Sequence, residues 1–218
     1  VLMKDARDAL CEYGRRTVEQ GYVVGSSGNL SIRDGDVVAV TPSGVQLDRL
    51  RPEECPVVDL EGRVVDGCLV PSSETPMHLA LYDTAPDATA IVHTHSVFGA
   101  VVATTHDALP AIHYNVLAFG GRDVRVADYA TYGTPELALN VRTALAGGRT
   151  AALIANHGGV TLGTDIDQVF ERTSVLEWLC EVYVRACGIG GPRILGDAEL
   201  EDVERRLKTY TVGGRQTA

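Results

Sequence analysis

His93 and His95 close the apolar stretch Ala90-Ile91-Val92 and are separated by one residue, Thr94. Side chains at i and i+2 of an extended strand point to the same face, so the two imidazoles would stand side by side. A third is available from His157, which follows the apolar run Ala151–Ala155 in the segment Asn156-His157-Gly158. Three neutral imidazoles are a recurrent catalytic zinc set, holding the ion at about 2.0–2.1 Å and leaving a position open. Neutral ligands leave the ion its full charge, so such a centre is a strong Lewis acid; Mn²⁺ or Co²⁺ suit the same donors. The chain is expected to be an enzyme.

Three small polar clusters interrupt the apolar framework: Gly25-Ser26-Ser27-Gly28-Asn29-Leu30-Ser31, Thr41-Pro42-Ser43-Gly44 and Pro71-Ser72-Ser73-Glu74. Each alone reads as an ordinary turn. Together they supply hydroxyls, an amide and glycine N–H groups beside a helix start, the parts of a phosphate site that needs no lysine. Of the nineteen Lys and Arg residues only Lys4 and Lys208 are lysines, one near each end. A Schiff base needs a lysine in a pocket, so any carbonyl chemistry here falls to the metal. Glu74 is the natural acid/base. The alternative is that it complements a helix dipole. A bound cation would lower its pKa and burial would raise it, and the sequence leaves the balance open.

These groups need elements to position them. Leu2 to Gln20 has helical spacing, with Gly21 as its stop. Asn29–Arg33, Val37–Val40, Val57–Leu60 and Arg63–Val65 read as strands joined by turns. Thr75 as N-cap and Pro76 at the first helical position open a helix to about Tyr82. Ala90–His95 reads as a buried strand, followed by a helix over Val97–Thr104. Another helix starts at Thr134-Pro135 and runs to about Leu145. Ala151–Ala155 and Val160–Leu162 form a strand pair around His157. Asp165-x-x-Gln168 is a capping-box pattern opening a helix to about Cys187, and Asp197 caps a last one to about Thr209. Hairpins without regular βαβ alternation predict a largely antiparallel sheet covered by helices.

At 218 residues the chain fits one domain. A net charge of −10 argues against a polyanion such as nucleic acid as partner. Apolar runs fall short of the roughly 18 residues of a membrane span, and the first eight residues lack a signal peptide's apolar core. Five cysteines without a Cys-x-x-Cys pair predict free thiols in a reducing cytoplasm. His78 is expected near the surface or supporting the site, His106 in a polar loop, and His113 beside Tyr114 as orienter or packing. Trp178 is expected in a helix core, with Cys180 and Cys187 buried on one face.

Gly28-Asn29-x-Ser31, Thr41-Pro42-Ser43-Gly44, Pro71-Ser72-Ser73-Glu74, His93-Thr94-His95 and Asn156-His157-Gly158 stand in an order that resembles the class II sugar-phosphate aldolase and epimerase family, its fuculose-phosphate aldolase branch most of all. Ile112-His113-Tyr114, Gly120-Gly121, Tyr129-Ala130-Thr131-Tyr132-Gly133-Thr134 and Leu207-Lys208-Thr209-Tyr210 extend the likeness over nearly the whole chain, 1–218. The resemblance implies a three-layer α/β fold and a four-fold symmetric homotetramer with active sites at subunit interfaces. It implies zinc on His93, His95 and His157, with Glu74 as fourth ligand at rest and as acid/base in turnover. Phosphate would be held by Asn29, Ser43 and the pair Ser72 and Ser73, with N–H groups of Gly28 and Gly44. Tyr114 would act from a neighbouring subunit and Tyr210 would close the site.

The implied reaction is reversible cleavage of a ketose 1-phosphate, L-fuculose 1-phosphate or a 5-deoxypentulose 1-phosphate. The products are dihydroxyacetone phosphate and a small aldehyde, by way of an enediolate whose charge zinc stabilises. Sister readings are a methylthioribulose-1-phosphate dehydratase and a pentulose-phosphate 4-epimerase, the latter disfavoured because its branch carries aspartate where this chain has Glu74. A sugar-phosphate-binding protein with a structural metal is the non-enzyme reading. Tyr132 departs from the branch, which has phenylalanine there; if it lines the aldehyde pocket, its hydroxyl would bear on substrate preference.

Overall fold

The computed structural model describes residues 1–209 and, beyond them, the backbone of two short paired strands, Thr211–Val212 and Arg215–Gln216. Nine strands build one mixed sheet. They are β1 (Asn29–Asp34), β2 (Val37–Val40), β3 (Val57–Asp59), β4 (Val64–Asp66), β5 (Ala90–Thr94), β6 (Ala108–Leu109), β7 (Val124–Ala127), β8 (Ala151–Ile154) and β9 (Gly158–Gly163). Their order is β4-β3-β2-β1-β5-β9-β8-β7-β6. The pairs are antiparallel except β7 with β8, which run parallel. β6 and β7 were not foreseen. They are short, and neither carries a clean alternation of apolar and polar residues.

Six helices cover the sheet: α1 (Lys4–Glu19), α2 (Thr75–Thr84), α3 (Val97–Thr105), α4 (Pro135–Ala144), α5 (Ile166–Gly188) and α6 (Asp197–Leu207). Alternation along the strands sorts the core onto two faces. Val38, Val58, Ile91, Ala152, Ile154 and Val160 pack with Met77 and Leu81 of α2 and Leu137 and Val141 of α4. On the other face Leu30, Ala39, Val57 and Val92 meet α1 and the start of α5, while Leu153 and Ala151 meet α3 and the rest of α5. Strands buried on both faces explain why the central runs are almost continuously apolar.

Helix ends deviate from expectation in instructive ways. Glu74, not Thr75, occupies the N-cap of α2, and its side chain makes no capping bond. Thr75 Oγ1 donates instead to the Ser72 carbonyl at 2.7 Å, tightening the loop that carries Glu74. Asp165 caps α5 by accepting from Gln168 N at 2.7 Å. Gln168 Oε1 accepts from Thr164 N rather than closing the box on Asp165. Gly196, not Asp197, sits at the N-cap of α6. No helix among the described residues is long and apolar enough to cross a membrane.

One backbone approach governs where His157 lies. Asn156 takes the left-handed conformation, φ 55°, in the tight turn between β8 and β9. Gly158 then passes so close to β5 that a Cβ there would stand 2.1 Å from the Thr94 carbonyl oxygen. Only glycine permits that spacing. Gly158→Ala is expected to push β9 from the end of β5 and cost about 1–3 kcal/mol, each kcal/mol lowering Tm by roughly 2–4 °C. Thermal denaturation measures this, and an unchanged Tm would show the contact is relieved without cost.

Candidate active site

β5 delivers His93 to the α2 side of the sheet, two residues after Ile91. Its Nδ1–H donates to the Gly159 carbonyl at 3.0 Å, so Nε2 carries the lone pair. That nitrogen lies 3.0 Å from His95 Nε2 and 3.1 Å from Glu74 Oε2. His157 Nε2 lies 3.6 Å from Glu74 Oε1. The three rings stand edge to face with centroids 4.8–4.9 Å apart. His95 lies just past the strand end, its N–H donating to the Tyr22 carbonyl at 3.0 Å. The turn after it is pinned from α5: Glu177 accepts from Ser96 Oγ at 2.6 Å, Phe98 N at 2.9 Å and Gly99 N at 2.8 Å. Glu177 thus caps α3 from another helix, a role that no local sequence pattern discloses.

The chemistry of this donor set is that of a cation site. One ligand atom from each of Glu74, His93, His95 and His157 lies within 4.8 Å of every other. A lone pair on His93 Nε2 faces a carboxylate that can only accept, and Glu74 Oε1 is buried without a hydrogen-bond partner. The group fits a divalent metal ion that these four side chains would hold. Burial pushes the Glu74 carboxyl up. Interactions with neighbouring His93, Asn29 and His157 outweigh this and leave it below the usual carboxylate range. Burial, with repulsion from His93, pushes His95 and His157 down to about 4.

A cavity of about 300 Å³ opens onto the cluster. It brings together Gly28, Asn29, Ser43, Gly44, Ser72, Ser73 and Tyr132 with Glu74, His95 and His157. Gly28, at φ +75°, lets its loop approach the His93 carbonyl, where a Cβ would stand at 2.9 Å. Ser26, Ser27, Tyr129 and Asn156 also line the cavity; Tyr129 lay inside a recognised motif without being assigned to the site. Asn29 is buried and donates through Nδ2 to Glu74 Oε2 at 2.9 Å, a contact the reading as a phosphate ligand did not include.

Other expected residues lie elsewhere. Tyr114 begins a 3-10 helix, Tyr114–Phe119, and stacks on His113 at 4.2 Å; it does not line the cavity on its own chain. Tyr210 lies outside the described residues. Of the two places expected for His78, the structure gives the one supporting the site: it is completely buried, with Nε2 2.6 Å from Asn29 Oδ1. Trp178 is 43 % exposed rather than core, its indole edge against His113. Cys180 is buried but Cys187 is exposed, because α5 leaves the sheet before its last turn.

Comparison with known proteins agrees with this geometry. Residues 8–184 match the family model described as the class II aldolase and adducin N-terminal domain. A 5-deoxy-D-ribulose 1-phosphate aldolase of Bacillus thuringiensis is 35% identical over 96% of this chain and 99% of its own. A 5-methylthioribulose-1-phosphate/5-deoxyribulose-1-phosphate aldolase of Rhodospirillum rubrum is 39% identical over 94% of this chain and 91% of its own. A solved structure of an L-fuculose 1-phosphate aldolase superimposes with a TM-score of 0.88 at 39% identity, covering 94% of this chain and 96% of that one.

The depressed histidines give a test without metal. Their ordinary pKa is about 6.5, so between pH 6.5 and 4 the unfolded chain binds protons that folded His95 and His157 refuse. These two groups therefore make the metal-free protein less stable as pH falls through that window. In metal-free protein, the ring resonances of His95 and His157 are expected to stay those of neutral imidazole from pH 8 to about 5. Midpoints near 6.5 in an NMR titration would contradict this.

Proposed function

Because this chain belongs to the class II aldolase and adducin family, we propose that it reversibly cleaves a ketose 1-phosphate into dihydroxyacetone phosphate and a small aldehyde. The substrate class is a 5-deoxypentulose 1-phosphate or L-fuculose 1-phosphate, and the metal is zinc. The observation that carries the reading is the union, in one cavity, of the His–Glu group with Ser/Gly loops suited to a phosphate. Both lysines are exposed at the periphery, Lys4 paired with Asp8, so a Schiff base has no candidate.

An ion on His93, His95 and His157 would supply Lewis-acid stabilisation of negative charge on the substrate oxygens. The protein does the rest. The hydroxyls of Ser43, Ser72 and Ser73 and the N–H groups of Gly28 and Gly44 orient the phosphate. As the C3–C4 bond breaks, the C4 hydroxyl proton leaves toward Tyr114 of a second copy in a homotetramer, and the bond electrons pass toward the C2 carbonyl. In the synthetic direction the Glu74 carboxylate removes the C3 proton of dihydroxyacetone phosphate; in cleavage Glu74, having taken a proton from solvent, returns one to C3. A carboxyl poised beside the reacting carbon is worth about 10²–10⁴ in rate.

Zinc-loaded protein incubated with dihydroxyacetone phosphate and acetaldehyde, lactaldehyde or other small aldehydes should form a new carbon–carbon bond, identified by NMR. No product with any aldehyde would remove the aldolase reading in favour of water elimination from methylthioribulose 1-phosphate. Tyr132, exposed on the cavity wall, is proposed to bias the aldehyde choice. Tyr132→Phe should change the ratio of kcat/KM for fuculose and deoxypentulose phosphates, and an unchanged ratio would sink that role.

A further inference from the structure

α2 carries a polar stripe on its inward face. Glu74, His78 and Tyr82, spaced by four, are all buried, and on β1 beside them Asn29 and Ser31 alternate with Leu30 onto the same side. These five side chains touch in sequence. Asn29 Nδ2 donates to Glu74 Oε2 at 2.9 Å, and His78 Nε2 lies 2.6 Å from Asn29 Oδ1. His78 Nδ1 lies 2.7 Å from Ser31 Oγ, which lies 2.8 Å from the Tyr82 hydroxyl.

The donor directions follow from chemistry. A carboxylate only accepts, so the amide end against Glu74 is the NH₂ group, and the carbonyl end faces His78. His78 Nε2 must then carry the ring's proton. The ring is neutral, since burial and nearby His93 hold its pKa down to about 3, so Nδ1 accepts from the Ser31 hydroxyl. Tyr82 ends the row, donating to Ser31 Oγ or to the Ser31 carbonyl at 3.1 Å. From Ser31 onward every donor points toward Glu74.

We infer that His78 is a positioning residue. Through Asn29 it keeps Glu74 Oε2 occupied as an acceptor and leaves Oε1 as the oxygen that exchanges a proton with substrate. Oε1 is the carboxylate atom without a hydrogen-bond partner. Without the His78 N–H, nothing holds the Asn29 carbonyl inward. A flipped amide would set Oδ1 against the carboxylate and free Oε2 as a second, differently placed base. The inference rests on the aldol reading for the identity of the proton transfer, but the hydrogen-bond directions stand apart from it.

Two measurements test it. In metal-free wild type at neutral pH, the ¹⁵N pattern of His78 should be that of the Nε2-protonated tautomer; the Nδ1-protonated pattern would overturn the inference. In D₂O, zinc-loaded protein should exchange a C3 proton of dihydroxyacetone phosphate without any aldehyde. His78→Leu should slow this exchange on the order of a hundredfold, at wild-type zinc content and at a temperature where circular dichroism shows it folded. His78→Gln, whose amide can donate near the Nε2 position, should restore most of the rate. Exchange at wild-type rate in His78→Leu, or a His78→Gln variant folded, zinc-loaded and equally impaired, would overturn the role. If His78→Leu does not fold, the Gln variant and the tautomer decide. A wild type that neither exchanges nor condenses would instead bring down the aldol reading, a failure the metal-free tautomer pattern does not share.

Discussion

The arrangement turns on the burial of four lone-pair groups against one another. His93 and Glu74 are almost fully buried, and their facing atoms are a nitrogen and a carboxylate oxygen 3.1 Å apart. His95 brings a further nitrogen to within 3.0 Å of the same His93 atom. Acceptors held this closely repel unless a positive charge lies among them, and at low dielectric that repulsion is large. A divalent cation resolves it with one ion. A proton can satisfy only a single pair at a time, and burial, with repulsion from His93, holds His95 and His157 against taking one. The scaffold has to be rigid enough to hold this unfavourable set before any ion arrives.

That rigidity comes from backbone, not from side chains within the site. β5 is central, paired on one edge by β1 and on the other by β9. Asn29 stands directly across from His93 and Val160 stands on its other flank, so the His93 ring enters the α2 side with little freedom. Gly158 brings the His157 turn against the strand end, and Glu177 anchors the turn after His95 from α5. Glu74 is carried on a loop stitched to a neighbouring one: Ser72 N donates to the Thr41 carbonyl, and Ser43 N to the Val70 carbonyl. The same stitches set Ser43 and Ser72 on the cavity wall. The Ser/Gly loops and the His–Glu group are therefore parts of one frame.

How much of this the sequence disclosed depended on whether a residue's partners were local. His93 and His95 were legible because period-two geometry is a property of the strand itself, and Glu74 because two serines and a helix start announce a loop. His78 was read as either near-surface or supporting the site, and the sequence did not choose between them, although its spacing with Glu74 and Tyr82 marks one face of α2. On that face, polar residues signal solvent unless a polar partner meets them, and the partners, Asn29 and Ser31, lie about fifty residues earlier (78 − 29 = 49). Asn29 itself, in a Ser/Gly loop, reads as a phosphate contact; that its carbonyl is taken by His78 is tertiary information. Trp178 followed helical spacing into an assumed core, but no element among the described residues covers it completely. β6 is only two residues long, and β7 loses its alternation at Ala127.

Charge explains why so acidic a chain can hold an anionic substrate. The molecule carries −10 overall, yet among the described residues Glu74 is the one carboxylate lining the cavity. Three neutral imidazoles and one carboxylate around a divalent ion leave a local charge of +1. The loops facing the expected phosphate contribute hydroxyl and N–H dipoles, which favour an anion without adding a formal charge. A lysine or arginine there would strengthen binding of substrate and product alike and raise no rate. With a neutral cradle, an ion on the His–Glu group would supply the strong positive charge of the site. The row from Tyr82 to Asn29 follows the same logic at the other end of Glu74: neutral donors settle which oxygen is free without adding a charge that would compete with the metal.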